Sequence, residues 1–378
     1  MEYITDISQQ TITIDGTTYT NDDATAGNGT PSHLQTLFRL RHGTGSFHAT
    51  LADFLAEWFN GSDTLKVHTS GSTGTPKELW IEKRRMINSA MMTVSFLGLQ
   101  PHDTALLCMP LQYIAGKMVV VRSLVTGLDL IPVSPSGHPL KELRTAPVFA
   151  AMIPMQVFNS LAVPEERELM QQIHHLIIGG GAVDETMEKT LNDFPNAIWS
   201  TYGMTETLSH IALRRLNGPN ASHWYTPFKH VSLSLSDGGT LVIDAPLVNK
   251  EKLTTNDIAE LDHNGHFRII GRRDNTINTG GVKVQIEQVE KALSNTLSCP
   301  FMITSVPDPK FGERIVMLVE DILPKEKTDQ ALAALPPYWR PKQIFRTERL
   351  PQTGTGKPDR ANARRIAREK AEEELSCQ

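Results

Sequence analysis

Short apolar runs alternate with amphipathic helical repeats in the part of the chain that precedes Leu233. Runs of strand length begin at residues 65, 104, 129, 148, 175 and 197. Between them, apolar residues recur with helical spacing over roughly residues 84–97, 118–125 and 184–194. Strands that alternate with helices predict an α/β fold with a doubly wound, mostly parallel sheet.

The pattern changes after Leu233, where alternating polar and apolar residues predict β-hairpins. In the segment ELDHNGHFRII, two such runs flank Asn264-Gly265, the dipeptide preferred in two-residue type I′ turns. Beyond Arg272 the pattern predicts a smaller α+β segment. Its predicted elements are a helix over 285–293, strands near 301 and over 315–319, and a charged helix from 359.

These elements predict two domains. We expect a large N-terminal α/β domain with a β-rich subdomain over residues 1–272, and a small, mobile α+β domain over residues 273–378. The chain has 378 residues, of which 39% are hydrophobic and 21% charged. This length and composition are typical of a globular protein of about two domains.

Charge and hydropathy exclude several classes of partner. The formal net charge of −5 gives no general basic surface, so we expect no nucleic-acid partner. No apolar stretch reaches the roughly 18 residues of a membrane helix, and the N-terminus lacks a basic leader before an apolar core. The three cysteines are isolated and lack the spacing of a zinc or redox site. These features predict a cytoplasmic protein without membrane insertion.

The candidate chemistry begins with two glycine loops that carry a lysine. Residues 69–77 read TSGSTGTPK, in which glycines free the backbone N–H groups and hydroxyls and Lys77 add donors for phosphate. Residues 353–360 read TGTGKPDR and carry Lys357. A proline separates the last glycine from Lys77 and another follows Lys357, so neither is a Walker A loop. Either loop alone is also consistent with a solvated surface turn.

The order of the motifs resembles that of a known superfamily. Five segments occur in sequence: TSGSTGTPK over 69–77, STYGMTET over 200–207, residues 255–257 with GRRD over 271–274, TGGVKVQIE over 279–287, and residues 350–360. Together they resemble the adenylate-forming superfamily of acyl-CoA synthetases, peptide-synthetase adenylation domains and luciferases. About 68 residues precede the first motif, and the resemblance implies that the N-terminal subdomain is abbreviated.

The resemblance implies ATP, Mg²⁺ and coenzyme A as cofactors and assigns a role to each motif residue. The implied catalytic residues are Lys357, Thr205 and Glu206, with Glu206 also the magnesium ligand. The implied phosphate ligands are Thr69, Ser70, Gly71, Ser72, Thr73, Gly74 and Lys77. The implied adenine and ribose contacts are Tyr202, Gly180, Gly181, Ala182, Asp257 and Arg272. Asp274 is the implied hinge, and Gly280 and Gly281 would line the coenzyme A tunnel.

The acid substrate is suggested by the segment PLQYIAGKMVVVRSLVTG, which resembles the acyl-pocket motif. Gln112-Tyr113 replaces the usual aromatic-histidine pair, so Tyr113 is the candidate gating residue. No acidic residue lies between Pro110 and Arg122, which argues against an amino-acid substrate. Lys117 and Arg122 instead offer positive charge for a second carboxylate. Because five residues separate them, only one is expected to face inward.

The motifs PLQYIAG, YGMTETLSH and NTGGVKVQIE together resemble o-succinylbenzoate–CoA ligases of menaquinone biosynthesis. Three alternatives stay open: another aryl- or fatty-acyl-CoA ligase, a stand-alone adenylation protein that loads a carrier protein, and a non-catalytic member of the superfamily. The expected partner is a small-molecule carboxylate. The sequence leaves the oligomeric state open, with a homo-oligomer among the options.

Overall fold

The computed structural model describes residues 3–25, 27, 30–68, 78–294, 296–297, 299–321, 324–353 and 358–376. Contacts between Cα atoms divide the chain into two compact units. Unit 1 comprises Met1–Ser232, Asp244–Lys252 and His263–His266. Unit 2 comprises Leu233–Ile243, Leu253–Asp262 and Phe267–Gln378. Unit 2 includes strands that precede residue 272, and the domain division expected at that residue stays a prediction.

The described helices of unit 1 are α1 (Asn21–Ala24), α2 (His33–His42), α3 (Phe47–Trp58), α4 (Lys83–Leu97), α5 (Ile114–Thr126), α6 (Pro154–Leu161), α7 (Pro164–Gln172) and α8 (Glu185–Leu191). Its strands are β1 (Ile12–Ile14), β2 (Thr17–Tyr19), β3 (Thr64–His68), β4 (Glu78–Glu82), β5 (Thr104–Leu107), β6 (Asp129–Pro132), β7 (Phe149–Met152), β8 (His175–Ile178), β9 (Ala197–Gly203), β10 (His210–Arg215) and β11 (Thr226–Pro227). Short 3₁₀ helices occur at Ile7–Gln9 and Thr205–Thr207.

Local sequence signals account for several helix ends in unit 1. The Ser46 side chain accepts a hydrogen bond from the first turn of α3, and Asp184 does the same for α8. Proline begins both α6 and α7, where its missing N–H costs nothing. Gly98 and Gly127 end α4 and α5 with positive φ angles, the conformation that glycine adopts most readily.

A nine-stranded sheet forms the centre of unit 1, in the order β11-β10-β9-β8-β7-β5-β6-β1-β2. The strands from β9 to β1 in this order are parallel, whereas β10, β11 and β2 are antiparallel to their neighbours. Helices α6, α7 and α8 cover one face through a buried cluster that includes Leu176 and Ile178. Ile177 is buried outside that cluster, so both faces are covered. The doubly wound, mostly parallel sheet is confirmed.

The expected functional segments follow the carboxyl ends of three parallel strands of this sheet. The acyl-pocket segment follows β5, the glycine segment over 179–181 follows β8, and residues 204–209 follow β9. Loops that follow adjacent parallel strands meet at one edge of a sheet, which is where α/β proteins place their ligands. The fold of unit 1 therefore brings these segments to a common edge.

Unit 2 contains two mainly antiparallel sheets. Its strands are β12 (Ser232–Leu235), β13 (Thr240–Asp244), β14 (Leu253–Leu261), β15 (Phe267–Arg272), β16 (Thr276–Thr279), β17 (Val282–Gln285), β18 (Phe301–Asp308), β19 (Gly312–Val319) and β20 (Gln343–Arg346). Its described helices are α9 (Ile286–Ser294), α10 (Lys325–Ala334) and α11 (Arg360–Ser376), with 3₁₀ turns at Arg273–Asn275 and Pro337–Trp339. β12 to β15 form one sheet; β16 to β20 form the other.

The predicted type I′ turn at Asn264-Gly265 is wrong. The strands β14 and β15 stop pairing at Leu261 and Phe267, so the connection has five residues. Gly265 has a positive φ angle, but Asn264 is not among the described residues with one. A two-residue turn with positive φ at both positions occurs instead between β16 and β17, at Gly280 (φ 60°) and Gly281 (φ 81°).

No helix within the described ranges has the length and apolar character needed to cross a membrane.

Candidate active site

Two of the expected loops lie outside the described residues. The phosphate-binding residues Thr69, Ser70, Gly71, Ser72, Thr73, Gly74 and Lys77 belong to the range 69–77, and Lys357 belongs to the range 354–357. The flanks define how each loop is attached. β3 and β4 pair up to His68 and Glu78, so residues 69–77 connect the strands of a hairpin. In unit 2, Gln352 and Pro358 form an antiparallel bridge on either side of Lys357.

The glycine segment after β8 packs closely against β9. A Cβ atom on Gly179 would lie 2.6 Å from Thr201 Oγ1, so any side chain at this position would have to displace the Thr201 hydroxyl. Gly180 has a φ angle of 79° and is exposed, Gly181 is half-buried, and Ala182 is exposed. Tyr202 follows Thr201 on β9 and is half-buried. The structure thus places exposed backbone of the glycine segment next to the strand that carries Tyr202.

The second signature forms a tight turn after β9. Thr205 and Glu206 lie in the 3₁₀ helix Thr205–Thr207, where Thr205 is half-buried and Glu206 is exposed. The Thr207 hydroxyl accepts a hydrogen bond from the Met204 N–H at 3.0 Å, and its oxygen lies 2.7 Å from the Ser209 carbonyl oxygen. Leu208 has a φ angle of 66°, which is uncommon for a residue with a side chain. The backbone around Thr205 and Glu206 is therefore held in one shape.

Glu206 carries a carboxylate, the type of oxygen ligand that Mg²⁺ accepts when a nucleotide supplies further ligands. No cation of the described residues pairs with its carboxylate, although its backbone carbonyl accepts from Asn249 Nδ2 at 3.0 Å. The described residues contain no group of three or more His, Cys, Asp or Glu side chains that could hold a metal. Mg²⁺ usually takes one or two carboxylates and completes its shell with phosphate oxygens and water. Glu206 and the Thr205 hydroxyl fit that requirement.

Tyr113, Lys117 and Arg122 lie on or next to α5, which requires a close approach of backbone at its start. A Cβ atom on Gly116 would lie 2.6 Å from the Pro110 carbonyl oxygen, so only glycine allows the acyl-pocket segment to fold against α5. Tyr113 precedes the first residue of α5 and is half-buried. It is therefore available at the carboxyl edge of the sheet, as a pocket residue requires.

Lys117 is engaged by the protein itself. Its Nζ atom donates to the Lys66 carbonyl oxygen at 3.0 Å, lies 3.8 Å from Glu57 Oε2, and stacks 5.3 Å from the Phe54 ring centre. Burial lowers the pKa of Lys117, and the Glu57 carboxylate acts in the opposite direction. These partners satisfy the ammonium group without a ligand.

Arg122 differs from Lys117 because it is buried without a carboxylate partner among the described residues. The residue is 2% exposed. Its Nη2 atom donates to Ser209 Oγ at 2.9 Å, while Nε has no hydrogen-bond partner within the described ranges. Burial lowers the pKa of Arg122 to about 9. A buried cation without a counter-ion costs free energy, so an anion bound at this guanidinium would be stabilising.

His210 completes the surroundings of Arg122. Its Nε2 atom lies 3.0 Å from Thr93 Oγ1, and its Nδ1 atom lies 3.2 Å from Ser209 Oγ. Burial, followed by the charge of Arg122, holds the pKa of His210 well below its ordinary value of 6.5. The imidazole is therefore neutral at physiological pH and leaves Arg122 as the local charge. This chain of contacts ends in Ser209, three residues after Glu206.

Three expected residues come together in unit 2. Asp257 on β14 and Arg272 on β15 are direct neighbours in the antiparallel register. Arg272 Nη1 donates to Asp257 Oδ1 at 3.0 Å, and Nη2 donates to Asp274 Oδ2 at 3.0 Å. Asn256, which stands where the superfamily usually has glycine, donates from Nδ2 to the same Asp274 oxygen at 3.3 Å. Arg272 thus joins the expected ribose carboxylate to the expected hinge residue.

Gly280 and Gly281 form the turn between β16 and β17. The Gly280 N–H donates to the Phe311 carbonyl at 2.8 Å, and a Cβ atom on Gly280 would lie 3.1 Å from the Phe311 ring. Nothing lies within 4 Å of a Cβ atom on Gly281. The second glycine therefore offers open space at this turn, while the first packs against an aromatic ring.

Several residues of the site were not identified from the sequence. Ser209 lies in the segment YGMTETLSH, but its contact with Arg122 joins positions 87 residues apart and leaves no periodic signal. Tyr225, whose ring centre lies 5.9 Å from that of Tyr202, belongs to no motif. The close packing of Gly203 against Ser209 is likewise invisible without coordinates.

The model of the AMP-binding enzyme family matches residues 22–244, which is more than half of the chain. The chain belongs to the AMP-binding enzyme family. A solved structure with a similar sequence supports this assignment. It is that of an acyl-CoA synthetase (AMP-forming)/AMP-acid ligase II-like protein from Dyadobacter fermentans, which is 31% identical to this chain with a TM-score of 0.59. That alignment covers 87% of this chain and 97% of the other.

Other relatives of this AMP-binding enzyme are more distant. A 2-succinylbenzoate–CoA ligase from Salmonella typhimurium is 27% identical over 67% of this chain, which spans 57% of the length of that ligase. An O-succinylbenzoate coenzyme A synthetase from Bacillus subtilis, solved with ATP and magnesium, is 21% identical with a TM-score of 0.65 over 78% of this chain and 68% of the other. The second similarity shows the fold alone.

Proposed function

We propose that this protein is an ATP-dependent acid–CoA ligase that converts o-succinylbenzoate to o-succinylbenzoyl-CoA in menaquinone biosynthesis. Family membership and the order of the motifs support adenylation chemistry. The observation that carries the choice of acid is Arg122, which is buried without a carboxylate partner in the described residues and is joined through Ser209 to the second signature. o-Succinylbenzoate has a carboxylate to be activated and a second one to be anchored.

The reaction requires the protein to bring anions together. A carboxylate oxygen attacks the α-phosphorus of ATP, the bond to pyrophosphate breaks, and an acyl-adenylate forms. The thiol sulfur of coenzyme A then attacks the acyl carbon and AMP leaves. Because like charges meet in the first step, positioned cations and N–H donors are the main catalytic resource. We assign that role to Lys357 at the reacting oxygens and to the loop over 69–77 at the departing phosphates.

Nucleotide binding is assigned to the residues that the motifs predict. Tyr202 would stack on adenine, with Gly180, Gly181 and Ala182 approaching the base by their backbone. Asp257 would accept the ribose hydroxyls, since a carboxylate can accept from both, and Arg272 would hold Asp257 in place. Thr205 would donate its hydroxyl to phosphate. Bound magnesium, held by Glu206, would neutralise phosphate charge.

The acid would be held by Arg122 rather than by Lys117. Lys117 already has Glu57 and the Lys66 carbonyl as partners, whereas Arg122 has the hydroxyl of Ser209 and no carboxylate among the described residues. An arginine binds a carboxylate through charge-assisted hydrogen bonds that are about twice as strong as neutral ones. Tyr113, at the start of the same helix, would line the pocket.

Thioester formation is assigned to a second arrangement of the expected C-terminal domain, residues 273–378. Asp274 would be the hinge, and the turn of Gly280 and Gly281 would line the path of coenzyme A. Asp274 accepts hydrogen bonds from both Arg272 and Asn256, so a change at this residue would have to break or replace those two contacts.

The proposal is tested by measuring ATP- and magnesium-dependent thioester formation with o-succinylbenzoate, benzoate and a medium-chain fatty acid. The wild type is expected to prefer o-succinylbenzoate. Arg122→Met should remove that preference while retaining some turnover of benzoate, which has no second carboxylate. Arg122→Lys should retain part of it. Lys357→Ala should lower the rate with every acid by about 10²–10³-fold or more. Lys141→Ala, an exposed lysine outside the expected motifs, is the matched control.

Each competing function has its own outcome. Thioester from benzoate or the fatty acid only would retain the chemistry and overturn the substrate. Acyl-adenylate without thioester would indicate a carrier protein as acceptor. Absence of nucleotide-dependent chemistry with all acids, in a protein that is folded, would indicate a non-catalytic member of the family.

A further inference from the structure

Tyr225 lies behind Tyr202, on the same face of the sheet. Tyr202 and Ser200 alternate along β9, and their antiparallel partners on β10 are Ala212 and Arg214. Side chains directly opposite each other in an antiparallel pair point to the same face. Tyr225, in the segment before β11, covers this face: its hydroxyl lies 2.9 Å from Ser200 Oγ, and its ring centre is 5.9 Å from that of Tyr202 at an angle of 59°.

Arg214 fixes the other side of the Tyr225 ring. Its guanidinium carbon lies 5.6 Å from the ring centre, within the range of a cation–π contact. Arg214 also pairs with Glu188 of α8 and donates to the Ser222 carbonyl at 3.2 Å. α8 is the helix that follows the glycine segment. Tyr225 is therefore held by the Ser200 hydroxyl and the Tyr202 ring of β9 and by the Arg214 guanidinium of β10.

We propose that Tyr225 is a positioning residue of the nucleobase site, which sets the plane of the Tyr202 ring for stacking on adenine. The inference rests on the proposed function, because that function places adenine at Tyr202. A tyrosine side chain has two main rotatable bonds, and a ring that must stack loses that freedom on binding. Tyr225 restricts the Tyr202 ring before the nucleotide binds, so less rotational freedom is lost on binding. Affinity rises although Tyr225 need not contact the nucleotide.

Two substitutions separate the parts of this support. Tyr225→Phe removes the hydroxyl and with it the contact with Ser200, whose net value is about 1 kcal/mol, equivalent to roughly fivefold in affinity. Tyr225→Leu also removes the ring that packs on Tyr202, and an aromatic pair contributes roughly 0.5–1.5 kcal/mol, or about two- to tenfold. Ser200→Ala removes the hydroxyl contact from the other side. Its effect should not add to that of Tyr225→Phe.

The test measures AMP binding by calorimetry and, separately, the KM for ATP and for the acid. Tyr225→Leu is expected to raise the Kd for AMP and the KM for ATP by roughly tenfold, with the acid KM unchanged. Tyr225→Phe should give a smaller increase. Tyr19→Leu is the matched control: Tyr19 is a buried tyrosine that packs edge-on against Phe38, and its loss should lower stability without changing the Kd for AMP.

The outcomes distinguish the inference from the proposed function. If Tyr225→Leu lowers the melting temperature as Tyr19→Leu does but leaves the Kd for AMP unchanged, the inference is overturned. If the wild type does not bind AMP, the inference fails together with the proposed function. If the wild type binds AMP and the variant weakens that binding, but no acid is converted to a thioester, the inference stands and the proposed function fails.

Discussion

Replacement of Gly203 by alanine should displace Ser209 and so disturb Arg122, the proposed acid-binding residue, although residue 203 is not itself proposed to bind the acid. Gly203 is the last residue of β9 and packs against the backbone of the segment that follows the second signature. A Cβ atom at this position would lie 2.3 Å from the Ser209 carbonyl oxygen and 2.5 Å from the His210 Cα atom. Real Cβ atoms essentially never approach other heavy atoms within 3.0 Å. Because both neighbours are backbone atoms, a side-chain rotation cannot relieve the clash.

The geometry gives the size of the effect. The Ser209 carbonyl must retreat by about 0.7 Å to reach the 3.0 Å limit. A movement of that size in the direction away from Arg122 would stretch the 2.9 Å contact between Ser209 Oγ and Arg122 Nη2 to about 3.6 Å, at which no hydrogen bond remains. Overpacking of a rigid site costs about 1–3 kcal/mol of stability. Arg122 would lose its described anchor, and we expect the KM for o-succinylbenzoate to rise about tenfold.

The assay combines urea denaturation with steady-state kinetics for each substrate. Gly203→Ala should lower the free energy of unfolding and raise the KM for the acid more than the KM for ATP. Gly45→Ala is the control, because Gly45 has nothing within 4 Å of an added Cβ atom and no positive φ angle. Wild-type stability and a wild-type acid KM in Gly203→Ala would refute the reasoning, since both follow from the same displacement of Ser209.

Three further outcomes follow from the structure. Glu290→Gln should lower the free energy of unfolding by about 2 kcal/mol in denaturation experiments, because Glu290 pairs with Arg360 through two contacts of 2.6 Å and the pair is largely buried. Burial holds the pKa of His210 below 6.5, so as the pH falls the unfolded chain protonates this imidazole before the folded chain does. The free energy of unfolding, measured against pH, should therefore decrease below pH 6.5, and the decrease should be smaller in His210→Asn. Burial raises the pKa of the Cys108 thiol to about 12, so mass spectrometry should detect its alkylation in urea but not in the native state.

Periodicity predicted the sheet because burial on both faces leaves a simple mark on the sequence. The strand β7 is buried at every position and stands in the sequence as an uninterrupted apolar run. The two-residue turn was placed wrongly for the opposite reason. Asn264-Gly265 has the preferred composition, yet the pairing of β14 and β15 stops at Leu261 and Phe267, two residues further out on the first strand and one on the second than a two-residue turn requires. Turn type depends on the strand register, which the dipeptide does not determine.

The sequence predicted the candidate site only at positions where a single residue matched a single expected role. Asp257 and Arg272 were each expected at the ribose, and the register of β14 and β15 makes them neighbours. Lys117 and Arg122 could not be separated by sequence, since both are cations on one helix. The difference lies in their surroundings: Glu57, from α3, reaches Lys117, whereas only the hydroxyl of Ser209 reaches Arg122 among the described residues. Such a distinction depends on contacts between distant elements.

One short segment joins the residues proposed to handle phosphate to those proposed to select the acid. Glu206 and Ser209 are three residues apart, and the Thr207 hydroxyl contacts the backbone on both sides, at Met204 and at Ser209. Leu208 holds a left-handed φ angle of 66° within this segment, a conformation that persists only where the surrounding contacts enforce it. A displacement of Glu206 should therefore also move Ser209, and a displacement of Ser209 should also move Glu206. On this reasoning, acid selectivity and the rate of adenylation cannot be varied independently by substitutions within this segment, whereas substitutions on α5 around Arg122 can change the acid alone.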